Sequence, residues 1–437
     1  MRKVMKFALI FSSVFAFGLP GLAQTPVYQF INGNWYDGKS FKNRTFYTVN
    51  GILTSKRPSR IDEMVDLKNQ FVIPPLADAH THNLDRTFNT KDLINEYLVE
   101  GVFYVQVLGN YASGAKQTKP LFNKPTSLDV VFANGGLTST LGHPFMAYET
   151  FAAGFYNPAE WEKNIEAIKK SRIGENDAYW FFDSKADVDA KWEKFLESKP
   201  DIVKIFLVDT ENLEKNRSNG KAGDKGLSPE VAEYIVQKAK KANLRVYAHV
   251  DTAFDFRIGL KIGVDGFGHL SNYGWNGKES IKDDLTLADI KLAARNKVSI
   301  IPTARIGEAE ASDYDEKGNA TLNRERFNRV LERQRKLYNL MLKNDVNFAI
   351  GSDYFGKTLG VELWYLHNNK IFDNKTLLKI AVEKTAQAIF PNRKIGRFSE
   401  GYEASFITVA ENPLVNFETL KNVNLRFKQG VFIEAKK

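Results

Sequence analysis

Cysteine is absent from the 437 residues. That excludes disulfides, thiolate zinc sites and a thiol nucleophile, so any chemistry must rest on nitrogen and oxygen groups. Histidine is nearly as scarce, with six in the whole chain. No low-complexity tract, fixed-period repeat or second long apolar run follows the N-terminus. The formal charge of +9 is diffuse: no Lys/Arg block with interleaved aromatics is present, which argues against a nucleic-acid partner.

What is present is globular in composition, with 43% hydrophobic and 26% charged residues. Arg2, Lys3 and Lys6 precede an apolar run from Phe7 to Leu19, with small residues at Gly21 and Ala23. This reads as a signal peptide over residues 1–23 that is cut after Ala23. The expected product is exported, periplasmic or secreted, with no stable membrane anchor. From Val27 to about Phe71, short β-type stretches are broken by the turn pairs Asn32-Gly33 and Asn50-Gly51. The stretch Ala404–Ile433 has the same texture, so the two chain ends (24–70 and 395–437) are expected to form one small β-sandwich domain.

Residues 71–394 alternate apolar runs with amphipathic helical patterns, the signature of parallel α/β architecture. Strands are predicted near Phe71–Ala79, Val102–Leu108, Leu128–Ala133, Ile202–Val208, Leu244–Val250, Val264–Leu270, Val298–Thr303 and Val346–Gly351. Eight of them point to a (β/α)8 barrel of the TIM type. Gly109–Ser127, rich in Gly, Pro, Lys and Asn, is expected to be an irregular loop. In such a barrel the carboxyl ends of the strands converge on one face, where active sites lie. His80, His82, His143, His249 and His269 all fall at or just beyond such ends. In Asp78-Ala79-His80-Thr81-His82 the two histidines are two apart, so strand alternation points both to one side, as metal chelation requires. Lys204 is a cation inside the apolar strand Ile202–Leu207, and burying it unpaired is costly. It is either paired, drawn to the rim, or deprotonated and able to react with carbon dioxide. Asp353 ends the eighth strand and is either a metal ligand that exchanges a proton with bound water or a helix cap.

Taken in order, Pro74-Pro75-Leu76-Ala77-Asp78-Ala79-His80-Thr81-His82, the Val203-Lys204-Ile205 strand, His249, His269, Gly351-Ser352-Asp353 and the tail Glu400–Ser405 with Asn412-Pro413-Leu414 form a set. It resembles the amidohydrolase superfamily, in particular its imidazolonepropionase-like and Xaa-Pro or Xaa-Arg dipeptidase-like branch. The resemblance implies two divalent metal ions, usually zinc. His80, His82 and Asp353 would hold one and His249 and His269 the other, with a carbamate on Lys204 bridging them. A hydroxide between the metals would attack a carbonyl, and Asp353 would relay its proton to the leaving group. The expected substrate is small, a dipeptide or N-acyl amino acid; a deaminase, a lactone or cyclic-amide hydrolase, or a non-catalytic binding protein is the alternative. The loop Gly135–Pro144 matches a histidine-bearing loop of that branch, which would make His143 a substrate contact. Arg305 could clamp a substrate carboxylate, and Tyr273, with Trp275, could wall the pocket. His367 is taken as structural. A homo-oligomer is compatible with all of this.

Overall fold

The computed structural model describes residues 26–157, 160–270, 284–315 and 319–436. The signal-peptide reading and the pocket-wall residues Tyr273 and Trp275 lie outside them. No helix among the described residues is long and apolar enough to cross a membrane.

Strands from both chain ends join in one eight-stranded sheet. Its register is set by Tyr28–Tyr36 against Phe41–Val49 and by Ser405–Val409 antiparallel to Phe71–Ile73. Asn50 and Gly51 both have positive φ (50° and 73°) and turn Phe41–Val49 into Ile52–Thr54, as a tight hairpin requires. Asn32-Gly33 does not behave as a turn pair. It lies inside the strand Tyr28–Tyr36, where the register shifts between Phe30 and Gly33, and Asn32 donates to Asp66 at 3.0 Å. Its carboxylate partner is distant in sequence, so the local pattern could not separate bulge from turn. Phe30, Trp35, Phe46, Phe406 and Phe427 fill the core of this sheet.

The central strands are parallel throughout. The expected first strand is split: Phe71–Ile73 pairs in the end sheet, and Leu76–Thr81 starts the central set. The break is Pro74-Pro75, which has no N–H to continue a ladder. Leu76–Thr81 pairs with Val102–Val107, which pairs with Asp129–Phe132. Val203–Leu207, Val246–Val250, Gly266–Gly268, Ser299–Ile301 and Asn347–Phe348 follow in spatial order. The third run resumes as Gly136–Thr138, which lies between Val203–Leu207 and an additional strand, Tyr179–Phe181. Two backbone bonds link the three-stranded and seven-stranded sets: Asp201 N to Phe132 O (2.8 Å) and Ala79 N to Ile350 O (2.8 Å).

Helices surround these strands. Lys185–Glu197, Ala253–Ile262 and Leu287–Arg295 each start on a Ser or Thr capping box with Asp at the third position. Gly109–Ser127 is not an irregular loop: Ala112–Thr118 is helical and Lys119–Leu121 continues it. Its first N–H groups are satisfied by remote carboxylates, Tyr111 N by Asp85 (2.8 Å) and Ser113 N by Asp177 (2.7 Å). That capping is tertiary, so composition alone misjudged the segment.

Lys428, on the strand Leu425–Lys428, crosses from the end sheet to the central unit and is fully buried. Its amine donates to Ser127 O (2.6 Å), Lys124 O (2.9 Å) and Asp129 Oδ1 (2.6 Å), and Arg393 holds the other Asp129 oxygen at 2.8 Å. Every donor of this ammonium has an acceptor, the condition under which a buried charge is tolerated.

Candidate metal centre

Three of the sequence-predicted ligands, His80, His82 and His269, meet on a fourth, Asp353. Its Oδ1 lies 3.2 Å from His80 Nε2 and 3.0 Å from His82 Nε2, and its Oδ2 lies 3.2 Å from His269 Nδ1. The rings of His269 and His249 are 4.7 Å apart. His80, His82 and Asp353 place one donor atom each close enough to share a cation. All are carried at carboxyl ends of central strands. Backbone geometry there is unusual: His269, Thr303 and Asp353 have φ of 97°, 46° and 47°. Left-handed conformations in non-glycine residues are costly and cluster at functional sites. At Asp353 the turn is pinned by its N–H donating to His80 O at 2.6 Å.

Proton accounting shows which nitrogens are free. His82 Nδ1 is 3.0 Å from Gly109 O, and because a carbonyl only accepts, the ring proton sits on Nδ1. Its Nε2 lies 3.0 Å from Asp353 Oδ1, and in the neutral ring that nitrogen turns a lone pair toward the carboxylate, an arrangement that a cation resolves. His249 Nε2 is bonded to Asp251 Oδ1 at 2.8 Å, which leaves its buried Nδ1 without a partner. His269 Nδ1 is tied to Thr303 Oγ1 at 3.0 Å. His80 is fully buried, and neither ring nitrogen makes a hydrogen bond, the 3.2 Å approach to Asp353 being misaligned for one. Buried orphans of this kind are rare in finished cores. The orphaned nitrogens and the donor set of imidazoles and carboxylate fit a divalent metal, with outer carboxylate and hydroxyl partners orienting the rings.

Lys204 is 1% exposed, and its amine has no hydrogen-bond partner among the described residues. Burial drives its pKa down to about 7, with Asp353 opposing. Gly268 makes room for it, since a Cβ there would come within 2.7 Å of Lys204 Nζ and 3.0 Å of His80 Nδ1. Burial also holds His80 and His269 well below the ordinary imidazole range, so both rest neutral and ready to ligate. Burial raises the Asp353 carboxyl, but its coupling to the His80 and His269 rings, with the hydrogen bond to His82, outweighs burial and holds it well below the usual carboxylate range.

These groups form the floor of a cavity of about 630 Å³. His143 lines it, stacked on His249 at 4.5 Å and brought down to about 3 by burial and by that neighbour. Asp209, Asn216, Gly223 and Asp224, from the segment that follows Val203–Leu207, form part of the wall. Arg305 is not brought into the cavity. Glu362 binds Ala304 N and Arg305 N (2.8 and 2.9 Å), the chain turns into a helix at Ile306, and the guanidinium faces Glu308 and the Tyr354 ring. His367 packs on Phe417 at 4.7 Å, away from the lining residues. Phe206, Asp251, Thr303, Tyr148 and Phe355 are additions. Strand alternation signals Phe206 from Lys204 and Asp251 from His249. Nothing local signals Tyr148 or Phe355.

The amidohydrolase family profile matches residues 71–433, and the chain belongs to that family. It is therefore a hydrolase acting on carbon–nitrogen bonds. Among solved structures it is similar to a Xaa-Pro dipeptidase with methionine in its active site, at 19% identity over 93% of this chain and 100% of that one, TM-score 0.67. It is also similar to the ochratoxinase of A. niger, at 17% identity over 94% and 96% of the two chains, TM-score 0.67. A third similar structure is a prolidase complexed with N-methylphosphonate-L-proline, at 16% identity over 94% and 100%, TM-score 0.68. At these identities the likeness is one of fold. No curated protein sequence matches.

Proposed function

We propose that this protein is an exported two-metal hydrolase of amide bonds in small substrates of the dipeptide or N-acyl amino acid kind. The observation that carries the reading is the convergence of uncommitted donors. His80 and His82 meet on Asp353, while His249 Nδ1 and the Lys204 amine are buried beside them without partners. In this reading His80, His82 and Asp353 hold one ion, His249 and His269 the other, and Lys204, carboxylated, spans both. Zinc suits such donors. When bound, the ions supply Lewis-acid polarisation of a carbonyl and acidify water at neutral pH. An amine brought to a pKa of about 7 by burial is in part unprotonated at neutral pH, as attack on carbon dioxide requires.

Asp353 takes the proton of the attacking water and delivers it to the departing amine, a role for which its carboxylate is kept ionised by the imidazoles. His143 contacts the substrate from the cavity wall. We read the central strands as a closed (β/α)8 barrel, on the strength of the two backbone bonds that link the two strand sets. The end sheet is read as a small β-sandwich domain, on its aromatic core. Export rests on the basic and apolar pattern of residues 1–23.

The test is a dipeptide and N-acyl amino acid screen of the metal-loaded full chain, with metal analysis and intact mass. Two metals per chain, a carbon dioxide adduct on Lys204 and turnover lost in Asp353→Asn are expected. One tightly bound metal with an unmodified lysine, or equal turnover by both proteins, sinks the reading.

A further inference from the structure

The helix Phe145–Ala152 carries Tyr148, whose side chain is 3% exposed and lines the cavity beside His82. Its hydroxyl oxygen is 3.4 Å from His82 Nδ1, and that is its one polar contact among the described residues. The direction of this contact follows from the ring tautomer. The Nδ1 proton is committed to Gly109 O at 3.0 Å, so Nδ1 has no lone pair and cannot accept from the phenol. Tyr148 is at most a second acceptor of that N–H, and its own O–H proton is left without an acceptor. A buried hydroxyl with an unspent proton, on the wall of the cavity that holds the reacting groups, is a donor awaiting a ligand oxygen.

The ring is held in place by aromatic neighbours. Tyr111 packs edge-on at 5.4 Å, and Phe355, itself stacked on His82 at 5.0 Å, packs edge-on at 6.2 Å. A donor fixed by packing needs no reorganisation when charge develops, which is the property required of an oxyanion donor.

We propose that Tyr148 donates its phenolic hydrogen bond to the substrate carbonyl oxygen as that oxygen gains charge. This rests on the amide-hydrolysis reading above. As the water oxygen bonds to the carbonyl carbon, the π pair moves onto the carbonyl oxygen, where the Tyr148 O–H meets it without giving up its proton. When that pair returns, the C–N bond breaks and the amine leaves with the proton carried by Asp353.

The experiment compares wild type with Tyr148→Phe in the metal-loaded full chain. Turnover is measured on the best amide of the screen, and binding on a phosphonate analogue of that amide and on its product acid. Loss of one oxyanion donor costs on the order of 10²-fold in kcat. A loss of that size in both kcat and phosphonate affinity is expected, with product affinity, metal content and melting temperature held. Placing 3-fluorotyrosine at 148 preserves ring and packing, so a donor role shifts kcat and a packing role leaves it unchanged. Unchanged kcat in Tyr148→Phe, or a kcat loss that tracks metal loss, overturns the assignment while leaving amide hydrolysis standing. A wild type that cleaves no amide overturns both.

Discussion

Two lysines are buried alike, Lys428 at 0% and Lys204 at 1% exposure, yet their surroundings are opposite. Lys428 gives its protons to two carbonyls and to Asp129 at the seam between end sheet and central strands. Lys204 has no acceptor and faces a cavity lined by imidazoles. The first ammonium is part of the structure. In the function proposed above, the second is a group whose partner is supplied from outside, so that burial without satisfaction would mark chemistry and burial with satisfaction architecture.

The largest expected effect falls on turnover. Asp353→Asn keeps the shape but loses the proton carrier, and kcat should drop by roughly 10²–10⁴-fold with the fold intact by circular dichroism. Next is a matched pair of substitutions. Lys428→Met leaves the buried Asp129 carboxylate to Arg393 alone and two carbonyls unmet, and should destabilise by about 3–5 kcal/mol in denaturant titrations. Lys204→Met in the metal-free protein removes an unsatisfied polar group and should leave stability unchanged or raise it. Equal destabilisation by both would erase the distinction drawn between them.

A third buried ionisable group sharpens it through pH. Glu310 is 7% exposed with Oε1 unpartnered, and burial raises its pKa to about 8 against the opposing pull of Arg333. The native state therefore holds this proton above the pH at which the unfolded chain releases it. Its stabilising contribution is complete below about 4.5 and is lost as pH rises toward about 8. Glu310→Gln should flatten that segment of a plot of melting temperature against pH; an unchanged slope would show that another group sets it. The smallest effect is Arg393→Met, about 1–2 kcal/mol, because Lys428 still pairs Asp129 after the partly exposed guanidinium is removed.

The convergence of the histidines and Asp353 was legible in the sequence because each falls at or just past the end of an apolar strand, and strand ends share a face in this architecture; Lys204 stood out as a cation inside one. Period-two alternation and a count of strands were enough to bring His80, His82, His249, His269 and Asp353 to one face, whereas their reading as a ligand set, with Lys204 among them, came from the family resemblance. Three features were not legible. The helix at Ala112–Thr118 depends on carboxylates of Asp85 and Asp177, the split at Pro74-Pro75 on which sheet captures Phe71–Ile73, and the outward turn of Arg305 on Glu362. Each is decided by a partner remote in sequence, which periodicity cannot report. Tyr148 was hidden for the same reason, since its value lies in the tautomer of His82.

Gly268 bears on how this enzyme can lose its activity. A single methyl group at that position would occupy the space where the Lys204 amine and the His80 ring approach each other. A related chain could keep every ligand and still be silent if it carries alanine here. Sorting working copies from retired ones therefore requires reading a residue that donates nothing to the reaction.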